Sequence, residues 1–374
     1  MILKKVFFTR YSRILLAVIL LGNLSACSGM FKDKFSLTKV KYEKLKGWNN
    51  DDQAEAMLAF KKSCAKYKLM PADKKIHSSG TGGVYKDWQE VCSKIDDSVD
   101  PKLFFESNFT PYAVKNRWKS KGLFTGYFES DLNGSRTKQF PYIYPVYGKP
   151  KDLIAKQQYF SRAEIEAGAL DEKGLEIAWV DDKVELFFAQ IQGSARIKLE
   201  DGSLMQIGYD GQNGYSYYPI GRYLFQEGYL EKKNISKATI EEWLKQNPDK
   251  AQETLEKNQS YVFFREIKGE GPIGAQGVPL TPMRSLAVDK KYIPYGAPIW
   301  LEAKLNGGAN EENSAHFQKL LVAQDTGGAI KGPIRGDIFF GYGVDAEKMA
   351  GYQNNEGKYF ILLPNAISEE VSDG

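Results

Sequence analysis

Two carboxylates flanking a glycine-rich loop are the residues of this chain best suited to chemistry. Residues 320–343 read LLVAQDTGGAIKGPIRGDIFFGYG, with Asp325 opening the loop and Asp337 closing it. Cleavage of a glycosidic bond calls for a carboxyl that keeps its proton near neutral pH and a second group that completes the displacement. A raised pKa needs an apolar surrounding or a neighbouring like charge. Ile338, Phe339 and Phe340 follow Asp337 and could supply the first. The amide-rich glycine backbone around Asp325 favours its ionised form. The plainer use of the same residues is a pair of Asx turns that shape a β-hairpin.

The elements that must hold these groups are short. Residues 320–323 and 338–340 are apolar runs bounded by glycine and read as strands, which puts both carboxylates where a loop meets a rigid frame. Lys331 and Arg335 lie between them and could bind sugar substituents or lower a carboxylate pKa; solvated loop charge is the alternative. Thr125, Gln192 and Asp210 could hydrogen-bond a polar ligand, and each equally suits a turn or strand end. Tyr127, Tyr209, Tyr215, Tyr217 and Tyr218 suit stacking on sugar faces, or a core. Asp289, ahead of Lys290 and Lys291, reads as a turn-side residue. Asp325-Thr326-Gly327 also matches an aspartic-protease loop. That architecture needs two such loops, and no second Asp-Thr-Gly or Asp-Ser-Gly occurs.

The start of the chain reads as a targeting segment. Lys4, Lys5, Arg10 and Arg13 precede a short apolar core at 14–21, then Leu24-Ser25-Ala26-Cys27. The run is too short to span a bilayer. The small residues before Cys27 resemble a bacterial lipobox, in which that cysteine is lipidated and becomes the new N-terminus; an ordinary signal peptide is the alternative. Ser28 after it is similar to outer-membrane lipoproteins facing the periplasm. Without residues 1–26 the 51 basic residues fall to 47, equal to the 47 acidic ones. A neutral mature chain has no electrostatic footprint for nucleic acid. Cys64 and Cys92 remain, on the apolar faces of two successive helical runs, and suggest a disulfide in an oxidising compartment. His77 and His316 are the only histidines and lie at no ligand spacing, so no metal, cofactor or serine triad is expected.

The remaining pattern predicts a mainly β fold with peripheral helices. Residues 28–46 read as a flexible tether and 51–70 and 84–95 as helices. Residues 124–128 read as a strand. Residues 176–180, 184–192 and 194–200 read as further strands, 208–214 as a turn cluster, and helices start near Pro219, Ser236 and Pro248. Short strands return from residue 260, including one at 286–289, and suggest a small barrel that residues 124–128 join. The expected parts are a signal peptide at 1–26, a lipidated tether at 27–46, helices and a first barrel strand at 47–130, an inserted β-rich domain at 131–258, and the rest of the barrel at 259–374.

Asp289, Asp325 and Asp337 in this order resemble the three-aspartate domain of the membrane-bound lytic murein transglycosylase A family. Phe124-Thr125-Gly126-Tyr127-Phe128, Tyr142-Ile143-Tyr144-Pro145-Val146-Tyr147, Ser161-Arg162-Ala163-Glu164-Ile165 and Gln192-Gly193-Ser194 are similar to family stretches. So are Tyr209-Asp210-Gly211-Gln212-Asn213-Gly214, residues 258–264 and Val278-Pro279-Leu280-Thr281. The likeness runs in order from about residue 120 to 363. It implies a double-psi β-barrel with an inserted second β-rich domain and a groove for peptidoglycan glycan strands. It also implies cleavage of the bond between N-acetylmuramic acid and N-acetylglucosamine with a 1,6-anhydro product. Asp337 matches the single catalytic Asp, acid and then base, and Asp325 becomes a supporting carboxylate. A non-catalytic wall-binding lipoprotein on the same barrel is the alternative of another class.

Overall fold

The computed structural model describes residues 33–269, 271–305 and 315–367; Cys27 and the leader lie outside them. In chain order the strands are β1 Phe35–Lys39, β2 Phe109–Asn116, β3 Gly122–Ser135, β4 Tyr144–Tyr147, β5 Glu176–Val180, β6 Ser194–Leu199 and β7 Leu204–Gln212. There follow β8 Val262–Ile267, β9 Ser285–Val288, β10 Pro298–Leu305, β11 Ala315–Asp325, β12 Arg335–Tyr342 and β13 Asn354–Pro364. The principal helices are α1 Gln53–Tyr67, α2 Tyr85–Ser93, α3 Pro101–Asn108, α4 Lys183–Gln192, α5 Ile220–Gln226, α6 Lys237–Gln246, α7 Pro248–Glu256 and α8 Gly343–Tyr352.

Six strands close on themselves. β3 pairs with β12, β12 with β9, β9 with β11, β11 with β10, β10 with β13, and β13 returns to β3. Closure gives each of these strands a neighbour on both sides over part of its length and fills the interior with side chains. Phe124, Leu286, Ile299, Ile338 and Ile361 are fully buried there. β3 is long enough to serve two sheets. Its first half, from Leu123, pairs in parallel with β12, and Ser130–Gly134 pairs in parallel with β6. From that crossover β4 to β8 build a second sheet with its own core, including Val146, Ala178, Ile197 and Ile207.

Helix α1 packs on β11, capped by Asp52, whose carboxylate accepts from the Ala54 amide at 3.0 Å. Arg284, fully buried before β9, bonds Asp51 at 2.8 Å and Glu55 at 2.7 Å, so the helix start is held by a paired buried charge. A disulfide joins Cys64 on α1 to Cys92 on α2 with a Cα–Cα distance of 5.6 Å.

Three sequence expectations need correction. Residues 184–192 form helix α4 rather than a strand. The Leu-Phe-Phe-Ala run is apolar enough for either, and the ends decide: Asp182 accepts from the Val184 and Glu185 amides at 2.7 and 3.0 Å, and Gly193 closes the helix at φ 86°. Residues 208–212 continue strand β7 through a bulge between Tyr209 and Gly211, so the turn cluster is confined to its end. The described end of the expected tether is not loose. β1 adds to β2, Phe35 packs on Tyr292 with ring centroids 5.7 Å apart, and Leu45 is buried.

Candidate active site

The two aspartates do not share a hairpin. β9 runs between β11 and β12, parallel to the first and antiparallel to the second. Ala287 of β9 is the register partner of Asp325 on one side and of Asp337 on the other, and Asp337 is in turn the partner of Thr125. Directly paired residues project to one face of a sheet, so Asp325, Ala287, Asp337 and Thr125 form one row. With strands about 4.8 Å apart, the two aspartate Cα atoms are separated by about 10 Å across a methyl side chain. This arrangement excludes the Asx-turn hairpin. Gly336 permits it: a Cβ there would sit 2.9 Å from the Phe124 ring and 3.0 Å from Leu286.

Asp337 is half-buried. Its Oδ1 accepts from the Thr125 hydroxyl at 2.5 Å, and the Arg335 guanidinium donates to that same hydroxyl oxygen at 2.8 Å. Burial lifts its pKa to about 6; the Thr125 hydrogen bond and the Arg335 charge pull it down, and the Asp325 charge pushes it up. Arg335 is itself held below its ordinary value by burial, with the charge of Asp337 opposing.

Asp325 accepts from the Tyr127 hydroxyl at 2.8 Å and from the Ala275 amide at 2.9 Å. Backbone amides do favour its ionised form, as expected, but they belong to Ala275 and Thr326 rather than to the glycines, and burial outweighs them. Burial raises its pKa, and the Tyr127, Ala275 and Thr326 hydrogen bonds only partly offset that. Tyr127 is no sugar platform either. Its ring is buried against Phe339, Leu280, Ala287 and Ile330, and burial beside Asp325 keeps its hydroxyl proton firmly bound.

The other candidate residues separate. Asp289 is buried and accepts from the amides of Lys291 at 3.0 Å and Gly332 at 2.8 Å, so it pins the glycine loop, where Gly332 takes φ 110°. It is a loop anchor more than a turn-side residue. Gln192 ends α4 and accepts from the Phe128 amide at 3.4 Å, beside the strand that carries Thr125 and Tyr127. Lys331 is exposed on the loop. Asp210 sits at the β7 bulge, ion-paired with Arg265 at 3.0 Å, and is not brought into this row. Among the aromatics, Tyr217 comes close to the glycine loop: a Cβ on Gly328 would lie 3.9 Å from its own.

One ionisable group escaped sequence reading. Glu129 lies two residues beyond Tyr127 on β3, fully buried, with neither carboxylate oxygen hydrogen-bonded among the described residues. Burial raises its pKa to about 7, with Arg196 opposing and Asp131 adding. The available signal was its period-two spacing from Thr125 and Tyr127 on an aromatic strand.

Comparison with known proteins agrees with this geometry. A family model described as the MltA specific insert domain matches residues 123–265, and one described as the 3D domain matches residues 284–363. The membrane-bound lytic murein transglycosylase A of Vibrio cholerae serotype O1 is 35% identical over 242 residues, 64% of this chain and 65% of that protein. The match thus spans a little under two thirds of that relative's length. The crystal structure of a membrane-bound lytic murein transglycosylase from Agrobacterium tumefaciens superposes with a TM-score of 0.80 at 32% identity, covering 90% of this chain and 99% of that one. MltA of E. coli with bound chitohexaose gives a TM-score of 0.67 at 28% identity, covering 88% and 94%. The closed six-stranded ring is a double-psi β-barrel, and the sheet that leaves it through β3 is the inserted β-rich domain. On sequence and fold together, this chain belongs to the membrane-bound lytic murein transglycosylase A family.

Proposed function

We propose that this chain cleaves the β-1,4 bond between N-acetylmuramic acid and N-acetylglucosamine in peptidoglycan and leaves a 1,6-anhydromuramoyl end. One observation carries the reading: Asp337 keeps its proton to about pH 6 while a hydroxyl and a guanidinium fix its orientation. The neutral carboxyl donates that proton to the glycosidic oxygen as the bond to the muramoyl anomeric carbon breaks. The resulting carboxylate takes the proton of the muramoyl 6-hydroxyl, whose oxygen attacks the same carbon. The substrate supplies its own nucleophile, so no water is consumed and one carboxyl serves twice. Asp325, held by Tyr127 and Ala275, is a supporting carboxylate that raises the proton affinity of Asp337. The chitohexaose bound to the E. coli relative supports a β-1,4-linked amino-sugar chain as the ligand class. Lipidation at Cys27 would hold the enzyme on the outer membrane, facing the periplasm and the wall.

The pH profile tests the acid. If Asp337 must be protonated, kcat/KM falls tenfold per pH unit above about 6. Arg335 lowers the Asp337 pKa, so Arg335→Gln should move that alkaline limb to higher pH. An unchanged limb in the variant, or none in the wild type, would remove Asp337 from the acid role.

A further inference from the structure

A cavity of about 300 Å³ lies beside the Asp325 end of the row, between the helical N-terminal segment and the barrel. It has the volume of a small ligand site. Lys66 and Tyr85 wall it from α1 and α2, and Gln276, Lys290 and Tyr295 from the barrel side. Met70, Ile76 and Ile293 supply apolar surface. Among the described residues no Asp or Glu lines it, and neither lysine has an ion pair. Gly277, at φ 81°, leaves the Lys66 ammonium clear; a Cβ there would approach it to 3.3 Å.

The walls are braced. The Tyr67 hydroxyl donates to the Tyr295 carbonyl at 2.8 Å, and the disulfide ties α1 to α2. His77 is buried in the wall. Its Nε2 lies 2.7 Å from the Lys290 carbonyl, which can only accept, so Nε2 carries the proton. Nδ1 accepts from the Ser79 amide at 3.2 Å. The imidazole therefore fixes the backbone from which Lys290 projects.

The cavity is also wired to the aspartates. Ala275, in its wall, presents its amide to Asp325. Tyr295 bonds Thr326, the next residue, and its hydroxyl is pushed up to about 12 by burial, with Asp325 and Asp289 adding. A ligand here would sit one residue's thickness from the carboxylate row. The helical wall lies outside residues 123–265 and 284–363, so the family models do not describe it.

We propose that this cavity binds a short acidic peptide, the carboxylate-bearing stem attached to the muramoyl lactyl group of the strand being cut. Two unpaired ammonium groups, neutral donors and an aliphatic floor complement the carboxylates and aliphatic chains of such a stem. The identity of the ligand rests on the glycan reading above.

The test is direct binding by calorimetry, with the full-length protein in detergent. The probes are a synthetic stem tetrapeptide with free carboxylates and its carboxamide counterpart. The account expects saturable binding of the acid form. Amidation should weaken it about tenfold, and so should the double change Lys66→Ala with Lys290→Ala, both at exposed side chains that leave the fold alone. Turnover of a peptide-free glycan should be the same in wild type and variant. Absence of binding, or binding indifferent to both changes, overturns the assignment. A wild type that binds the acid peptide but cuts no glycan would sink the proposed activity while supporting the cavity.

Discussion

Asp337→Ala is expected to lower release of anhydromuropeptides from purified sacculi by about 10²–10⁴-fold, the range a positioned general acid contributes. The fold should survive. β12 is paired on both sides, and the methyl group replaces a carboxyl that burial already penalises when ionised. A folded-state pKa near 6, against an ordinary 3.8, means that the charged form weakens the native state above that window. The variant should therefore melt no lower than wild type at pH 7.5. Asp325→Ala should cost less, on the order of tenfold, because Asp325 acts on the proton of Asp337 through charge. Its removal should also draw the alkaline limb to lower pH. Near-normal turnover by Asp337→Ala, measured on sacculi beside an intact melting curve, would remove the residue from the chemistry.

The second large effect is on stability, at Glu129. Its folded pKa near 7 lies above the ordinary 4.5, so between those values the native chain holds more protons than the unfolded one. Stability is then lost as pH rises through this window, and the full penalty stands above it. At 1.36 kcal/mol per unit, the loss is up to about 3 kcal/mol. Glu129→Gln removes the titration. The variant should match wild type near pH 4.5 and exceed it at pH 8 by up to that amount in denaturant unfolding. An equal difference at both pH values would mean that the carboxylate is not what burial penalises there. An unpartnered buried acid on the strand that carries Thr125 and Tyr127 is costly to keep, and the crossover between the sheets is where that cost falls.

What the amino-acid order disclosed was local. Leu320 to Ala323 and Ile338 to Phe340 are apolar runs that bring Asp325 and Asp337 to one region, and those runs are strands. That the early strand at Phe124 belongs among the late ones is also visible in the pairing of β3 with β12 and β13. What lay hidden was non-local. β9 enters between β11 and β12, and nothing in residues 320–343 encodes the presence of Ala287 between the aspartates. Tyr127 read as a stacking ring because its hydroxyl's partner is 198 residues away. The error at α4 had another cause. An apolar run carries no period of its own, and Asp182 and Gly193, a cap at each end, held the decisive information. β2, α3 and α8 went unread as well, although Asp100-Pro101 is a helix start whose carboxylate accepts from the Leu103 amide at 2.8 Å.

The proton cycle proposed for Asp337 has a signature in the product. Purified sacculi digested by the wild-type protein should yield muropeptides lighter by one water than those a hydrolase releases, because the 6-hydroxyl of the sugar closes the ring in place of solvent. Mass spectrometry of the soluble digest, run beside Asp337→Ala, reads this directly. The account predicts the lighter anhydro species from the wild type and its loss from the variant. Muropeptides carrying the full mass of added water, with no anhydro form, would contradict it.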